Sequence, residues 1–291
     1  MALPILITTS HSSGFAPFDV LAKMLGDGVQ DADKRAARLD CLYNAGDPYT
    51  DALFHLPGAV HVNALASRFV VDLNRERDEG GLNGVIKVTD FGGRPLYPEG
   101  FQFTEEEIEE RLERHYDPFH ETVTRALAKR DILFLIDGHS MSPKGPLIGP
   151  DQGRPRPAFT IITGGNLLGE RRTPNEHPSI PADVAQEVAQ QLDVHFGEVV
   201  QATPEIPNTV LINSPFDGGG IHQFYSNPKR KDAVPGFAVE FNRALFLRPS
   251  ENGLDEPIPG RVEELNKRFQ TFAKALIPTF EKLAERGAVA S

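Results

Sequence analysis

The chain has 291 residues, 40% of them hydrophobic and 24% charged, which is ordinary for a folded globular protein and leaves room for one large or two smaller domains. Its net charge of −11 argues against nucleic acid as a partner, because phosphate binding needs a basic face. No apolar run reaches the roughly 18–20 residues that cross a bilayer. A single cysteine, Cys41, excludes an internal disulfide and a thiolate-rich metal site and makes the cytoplasm the expected compartment.

In chain order, the apolar "LPILITT" reads as a first strand, not a signal peptide, since no basic segment precedes it and no small-residue cleavage site follows. Residues 17–55 read as helical pieces, interrupted around Gly26–Gly28 and by "NAGDP" at 44–48. "AVHVNA" and "RFVVDL" read as β segments. Residues 76–103, rich in Gly, Pro and charge, are too long for a plain connection and suggest a surface excursion or a lid. "FTEEEIEERLERHYDPFHETVTRALAKR" predicts a helix with Thr104 as N-cap, a capping box closed by Glu107, and an apolar stripe from Ile108 to Leu127. Pro118 should kink or split it.

Ile132 to Ile136 has the length and β-branched content of a buried strand, with Gly138 expected to break it. "AFTIIT", "NTVLIN" and "GFAVEFN" predict further strands. "PADVAQEVAQQLDVHF" and the C-terminal "RVEELNKRFQTFAKALIPTFEKLAER" predict helices. Strand and helix alternate with no visible linker. That predicts one α/β domain over 1–291, built on a mixed, mainly parallel sheet with helices on both faces.

Nine histidines are present. His115, His120, His177 and His195 sit on helices or in a Pro-rich loop and suit structural or solvated roles. His11 and His139 differ, because each closely follows a core strand and both continue as His-Ser. Two imidazoles at neighbouring strand ends suit a metal, with a carboxylate as third ligand. "SRFVVDLNR" offers Arg68, Asn74 and Arg75, a set that serves carboxylate binding or surface salt bridging equally well. Glu240 lies inside an apolar strand, where a carboxylate is a general base or an ion-pair partner for Arg243. In "INSPFDGGGIHQFY", Gly219 and Gly220 allow close backbone approach to a substrate near His222, or form a plain turn.

In order, "SHSSG", "DPYTDALF", "SRFVVDLNR", "IDGHSMS", "NSPFDGGGIHQFY" and "VEFNRALF" resemble segments of the N-formylglutamate amidohydrolase family, over nearly the whole chain. The most specific are "VVDLNR", "DGHSM", and "PF.GG" followed by "E.NRALF". That family is similar to zinc carboxypeptidases and aspartoacylase, so the resemblance implies a zinc-exopeptidase-like fold. It implies zinc, or another divalent transition metal, on His11 and His139. Arg68 falls on the residue that polarises the scissile carbonyl, Asn74 and Arg75 on the carboxylate-binding pair, and Glu240 on the general base. One position departs: where the pattern H-x-x-E has Glu, this chain has Gly14. Asp51 in "DPYTD" is the expected substitute, with Asp19 as the alternative and Asp137 orienting His139. The implied reaction is hydrolysis of a small acidic N-acyl amino acid, N-formyl-L-glutamate, to glutamate and formate, a step of histidine breakdown. A deacylase of another N-acyl amino acid, a carboxypeptidase-like hydrolase and a metal-free binder of small acids share most of these features.

Overall fold

A computed structural model describes residues 2–129, 131–207, 209–251 and 253–289. Six strands form one sheet: β1 (Ile5–Thr9), β2 (Val60–Asn63), β3 (Phe134–Met141), β4 (Phe159–Ile162), β5 (Val210–Ile212) and β6 (Gly236–Asn242). Their order is β2-β1-β3-β6-β4-β5. The first four in that order run parallel, and β4 joins β6 antiparallel while pairing parallel with β5. The mixed, mainly parallel α/β architecture is as the alternation of elements predicts. Arg130 and Asn208, at the edges of an expected helix and strand, lie outside the described residues.

Strict alternation along the central strands separates the two faces. Ile5, Ile7, Phe134, Ile136, Phe237, Val239 and Phe241 enter the larger core cluster. There they meet Leu53 of α3 (Thr50–Leu53) and the Phe54 that caps it, the apolar side of α6 (Ala182–Gln201), and Phe269 and Phe272 of α8 (Arg261–Ala275). Leu6 and Leu135 point the other way, toward Leu112, Tyr116 and Val123, and toward Ile221 and Tyr225 of α7 (Gly220–Tyr225). A third cluster lies under α1 (Phe18–Leu25) and α2 (Ala32–Ala45), packed on Phe69, Val70 and Tyr97. Near the carboxyl end of the sheet a ribbon of β7 (Leu247–Pro249) and β8 (Asp255–Pro257) follows β6.

One expectation is met and several are corrected. The helix expected from Thr104 has its capping box and splits near Pro118 as expected, into α4 (Glu105–Arg111) and α5 (Asp117–Lys129), joined by a π turn over Leu112–Tyr116. The wider turn, in which Asp117 N–H donates to Leu112 O, comes immediately before Pro118. The C-terminal helix likewise divides into α8 and α9 (Ile277–Val289) next to Pro278, which has no N–H to continue the ladder. Gly138 does not end β3, which runs on to Met141. It admits the ring of Phe54, since a Cβ there would lie 2.5 Å from Phe54 Cδ2. "RFVVDL" is a turn, not a strand. Val70 and Val71 N–H both close onto Ser67 O at 2.8 and 3.3 Å. Residues 69–73 are apolar because they are buried on two sides, Phe69 and Val70 in one cluster and Val71 and Leu73 in another. Contiguous burial imitates the composition of a strand without its alternation.

Candidate functional site

Three parallel strands deliver side chains to the same end of the sheet, the position at which open α/β sheets place ligands. His11 follows β1 by two residues, while His139 and Glu240 sit directly opposite each other on β3 and β6. Alternation sends His139 and Glu240 away from the large apolar cluster, into a cavity of about 320 Å³. Its lining includes Asp47, Arg68, Asn74 and Arg75, with Phe91 and Arg94 from the 76–103 excursion.

His11, His139 and Asp47 form one buried group whose ligand atoms all lie within 4.8 Å of one another. Asp47 Oδ2 is 3.0 Å from His139 Nδ1 and 3.4 Å from His11 Nδ1. The far nitrogens are held by further buried carboxylates, His11 Nε2 by Asp72 at 2.7 Å and His139 Nε2 by Asp137 at 2.8 Å. Metal-binding imidazoles are oriented in this way, by a carboxylate on the nitrogen facing away from the ion. His11 Nδ1 has no hydrogen-bond partner among the described residues although it is buried, and an unmet buried polar atom is costly unless something binds it. Two Nδ1 atoms and one carboxylate oxygen turned toward one point fit a divalent transition metal with an open fourth position.

The supporting charges are dense. Asp72 accepts from Arg68 at 2.9 Å and lies 3.0 Å from the ammonium of the fully buried Lys87. Burial pushes the Asp72 pKa up, but Arg68, His11 and Lys87 more than offset this and hold it well below the usual carboxylate range. For Asp47, burial is likewise overcome by the adjacent His11 and His139 imidazoles, and its pKa also falls well below normal. Burial opposes a charge on His139, yet Asp137 and Asp47 raise its pKa well above that of a free imidazole.

Glu240 behaves in the opposite sense. Burial raises its pKa, with Asp47 adding to the effect and His139 only partly opposing it. Its Oε2 has no hydrogen-bond partner among the described residues. Arg243 does not bond it. That guanidinium donates to Asn44 O at 3.0 Å, to Gly46 O, to Ser140 Oγ at 3.1 Å and to Asp47 Oδ1 at 3.4 Å. The Arg243 fork therefore fixes the 44–47 turn that carries Asp47, and Asp47 N–H donates to His11 O at 2.9 Å.

Asp51 does not join the group. It is exposed on the first turn of α3, and Asp47, four residues earlier, occupies the position instead. Asp19 is also exposed and pairs with Arg114 at 3.4 Å. Gly14 has a steric reason: a Cβ there would lie 2.4 Å from Tyr43 Cβ on α2, so no glutamate fits at that point of the backbone. Asn74 and Arg75 do line the cavity, Arg75 with its fork on Glu79 at 3.3 Å. Gly219 lines it as well. Gly220 instead packs on the backbone of Asn74, where a Cβ would come within 2.8 Å. His222 is corrected too. α7 turns it inward, fully buried and away from the cavity lining, with its pKa pulled by burial to about 4.

Sequence reasoning missed Asp47, Lys87 and Arg156, and gave Arg243 only as a partner for Glu240. Arg156 lines the cavity while holding Asp151 through two hydrogen bonds of 2.7 and 2.8 Å. The available signals were an Asp before Pro in "AGDP", a lone Lys in the apolar "GVIKV", and an Arg three residues beyond Glu240.

Residues 3–247 match the family model of N-formylglutamate amidohydrolase. The chain belongs to the N-formylglutamate amidohydrolase family. Among curated proteins, N-formylglutamate deformylase of Pseudomonas aeruginosa is 31% identical over 62% of this chain and 66% of its own length. The corresponding Pseudomonas putida protein is 33% identical over 48% of this chain and 52% of its own. The chain thus spans between about half and two thirds of these relatives. A solved N-formylglutamate amidohydrolase from Ralstonia eutropha superposes with a TM-score of 0.62 at 19% identity, covering 94% of each chain. A gene product of Agrobacterium tumefaciens gives 0.55 at 18%, over 94% of this chain and 91% of the other. These two likenesses support the fold.

Proposed function

We propose that this chain is a metal-dependent amidohydrolase that cleaves N-formyl-L-glutamate to L-glutamate and formate. The observation that carries the reading is the buried His11–Asp47–His139 group, its imidazoles braced by Asp72 and Asp137, with His139 directly across a strand pair from Glu240, whose Oε2 has no partner among the described residues. Zinc, or another divalent transition metal, would be held by the two Nδ1 atoms and Asp47, and when bound it supplies Lewis acidity toward a carbonyl and lowers the pKa of water.

The chain's own groups complete the chemistry. Glu240, with a raised pKa, takes a proton from the attacking water and passes it to the leaving amine. Arg68 sits beside the metal ligands with Nε unpartnered among the described residues, and supports charge that builds on the carbonyl oxygen. Arg75 and Asn74 hold a substrate carboxylate. Gly219 lets the backbone approach, and the 76–103 excursion closes over the cavity from the side of Phe91 and Arg94. Residues 1–291 act as one domain. The single exposed Cys41 accords with a reducing cytoplasm, and the products accord with a place in histidine breakdown.

The test is release of formate and glutamate from N-formyl-L-glutamate, lost after chelation and restored by zinc. N-acetyl-L-glutamate and a glutamate-containing dipeptide serve as competing substrates. Faster turnover of either would replace the formyl assignment with a different deacylase or a peptidase. Activity that resists complete metal removal would overturn the metal reading.

A further inference from the structure

Arg75, at the end of the segment Leu73-Asn74-Arg75, has space on both sides. Behind it lies a second cavity of about 620 Å³, lined by Arg75, Tyr116, His120, Gly220, Phe224 and Arg230. Arg75 faces both cavities. With open space on two sides of its side chain, Arg75 takes its direction from the hydrogen bonds that hold the backbone around it.

Two of those bonds come from the π turn and α5, and a third from α7. Tyr116, at the end of the π turn, donates its hydroxyl to Arg75 O at 2.7 Å. His120, one turn on, places Nε2 3.0 Å from Leu73 O. A carbonyl only accepts, so Nε2 carries the proton. Burial holds the His120 pKa near 4, so the ring is neutral, and the Nδ1 and backbone carbonyl of His120, each 3.0 Å from the Tyr225 hydroxyl, share that single proton as acceptors. The Tyr116 and His120 rings lie against each other with centroids 4.2 Å apart and planes tilted by 33°, which couples their positions. From the other end, Ile221 N–H donates to Asn74 Oδ1 at 2.8 Å. The carbonyls on either side of Asn74 are thus gripped from behind, while its side chain and that of Arg75 serve the front.

We propose that Tyr116 and His120 are positioning residues that aim the Asn74–Arg75 pair at the substrate carboxylate. The proposal rests on the reading of Asn74 and Arg75 as the carboxylate grip. Neither residue touches the metal group, so their loss should appear in substrate binding and not in metal content.

Tyr116→Phe keeps the ring and removes only the hydroxyl, so it tests the clamp with the least disturbance. KM for N-formyl-L-glutamate should rise about three- to tenfold, the worth of one hydrogen bond, with kcat within about twofold and zinc content unchanged. The same variant should lose little on an analogue whose gripped carboxylate is a neutral amide. In an Arg75→Lys background the added loss should shrink, because both changes disturb one contact. His120→Gln, which retains an N–H donor, should stay nearer wild type than His120→Leu. Equal losses on acid and amide substrates for Tyr116→Phe, or no loss on either, would overturn the positioning role while Arg75→Lys still discriminates between them. If Arg75→Lys itself fails to discriminate, the carboxylate grip is wrong and this inference falls with it.

Discussion

The two ends of the cavity are built differently. At one end, His11, His139 and Glu240 stand on or just beyond central strands whose register is fixed by pairing on both sides. Their partners Asp47, Asp72 and Asp137 are themselves buried and paired. At the other end, Asn74 and Arg75 lie on a turn held by a few directed hydrogen bonds, with an Arg75 that is one third exposed. The first end is determined many times over, as the proposed metal site requires. The second has the freedom to admit a substrate and let its product go. Changes at the first end should therefore be all-or-none, and changes at the second graded.

The largest expected effect follows from His139→Ala. Removing one of three protein ligands should abolish metal binding and activity together; a variant that still binds zinc stoichiometrically would break the comparison at its rigid end. Next, Glu240→Gln should retain metal and fold while kcat falls about 10²–10⁴-fold, and an unchanged kcat would reduce Glu240 to a structural role. Arg75→Lys keeps the charge but loses the planar fork. It should cost roughly 10–150-fold in kcat/KM, the equivalent of about 1.5–3 kcal/mol for a charge-assisted hydrogen bond. That loss should appear with N-formyl-L-glutamate and largely vanish with the neutral amide analogue. The smallest effect is on stability. Because burial raises the Glu240 pKa in the folded protein, the native state binds the extra proton, and stability falls as pH rises from the unfolded toward the folded value. Chelator-treated Glu240→Gln should therefore melt above the wild type at pH 7. Near pH 3, below the usual carboxylate range of roughly 4, the difference should disappear. Calorimetry at the two pH values decides it, and equal Tm at both would show that Glu240 is not strained.

What the amino-acid sequence reveals follows the same division. Apolar runs ending in polar residues mark β1, β3 and β6, and a residue riding at the end of a strand, such as His11 or His139, can be placed once the strand is found. Glu240 stands out because a carboxylate in "GFAVEFN" contradicts its neighbours. Asp47 is hidden because its position depends on contacts far along the chain. Its turn docks on His11 O, 36 residues away, and is gripped by Arg243, 196 residues away. Nothing local separates it from Asp51, which lies in the same polar segment. Lys87 looks like any surface lysine until the fold closes over it. Tyr116 belongs to the apolar stripe of the expected helix and His120 reads as a structural or solvated histidine beside it, and only the three-dimensional arrangement shows that their polar atoms reach the 73–75 backbone. "RFVVDL" misleads for the complementary reason, since burial from two sides yields the residues of a strand without a neighbour to pair with.

The central claim is that His11, Asp47 and His139 make the metal site and that Asp51 has no part in it. Zinc content of the wild type, Asp47→Asn and Asp51→Asn, measured after dialysis against a weak chelator, tests it most directly. Wild type and Asp51→Asn should each hold close to one equivalent, and Asp47→Asn less than about a tenth, because an amide is a poor ligand in a three-residue site. Full occupancy in Asp47→Asn, or loss of metal in Asp51→Asn, would contradict the assignment.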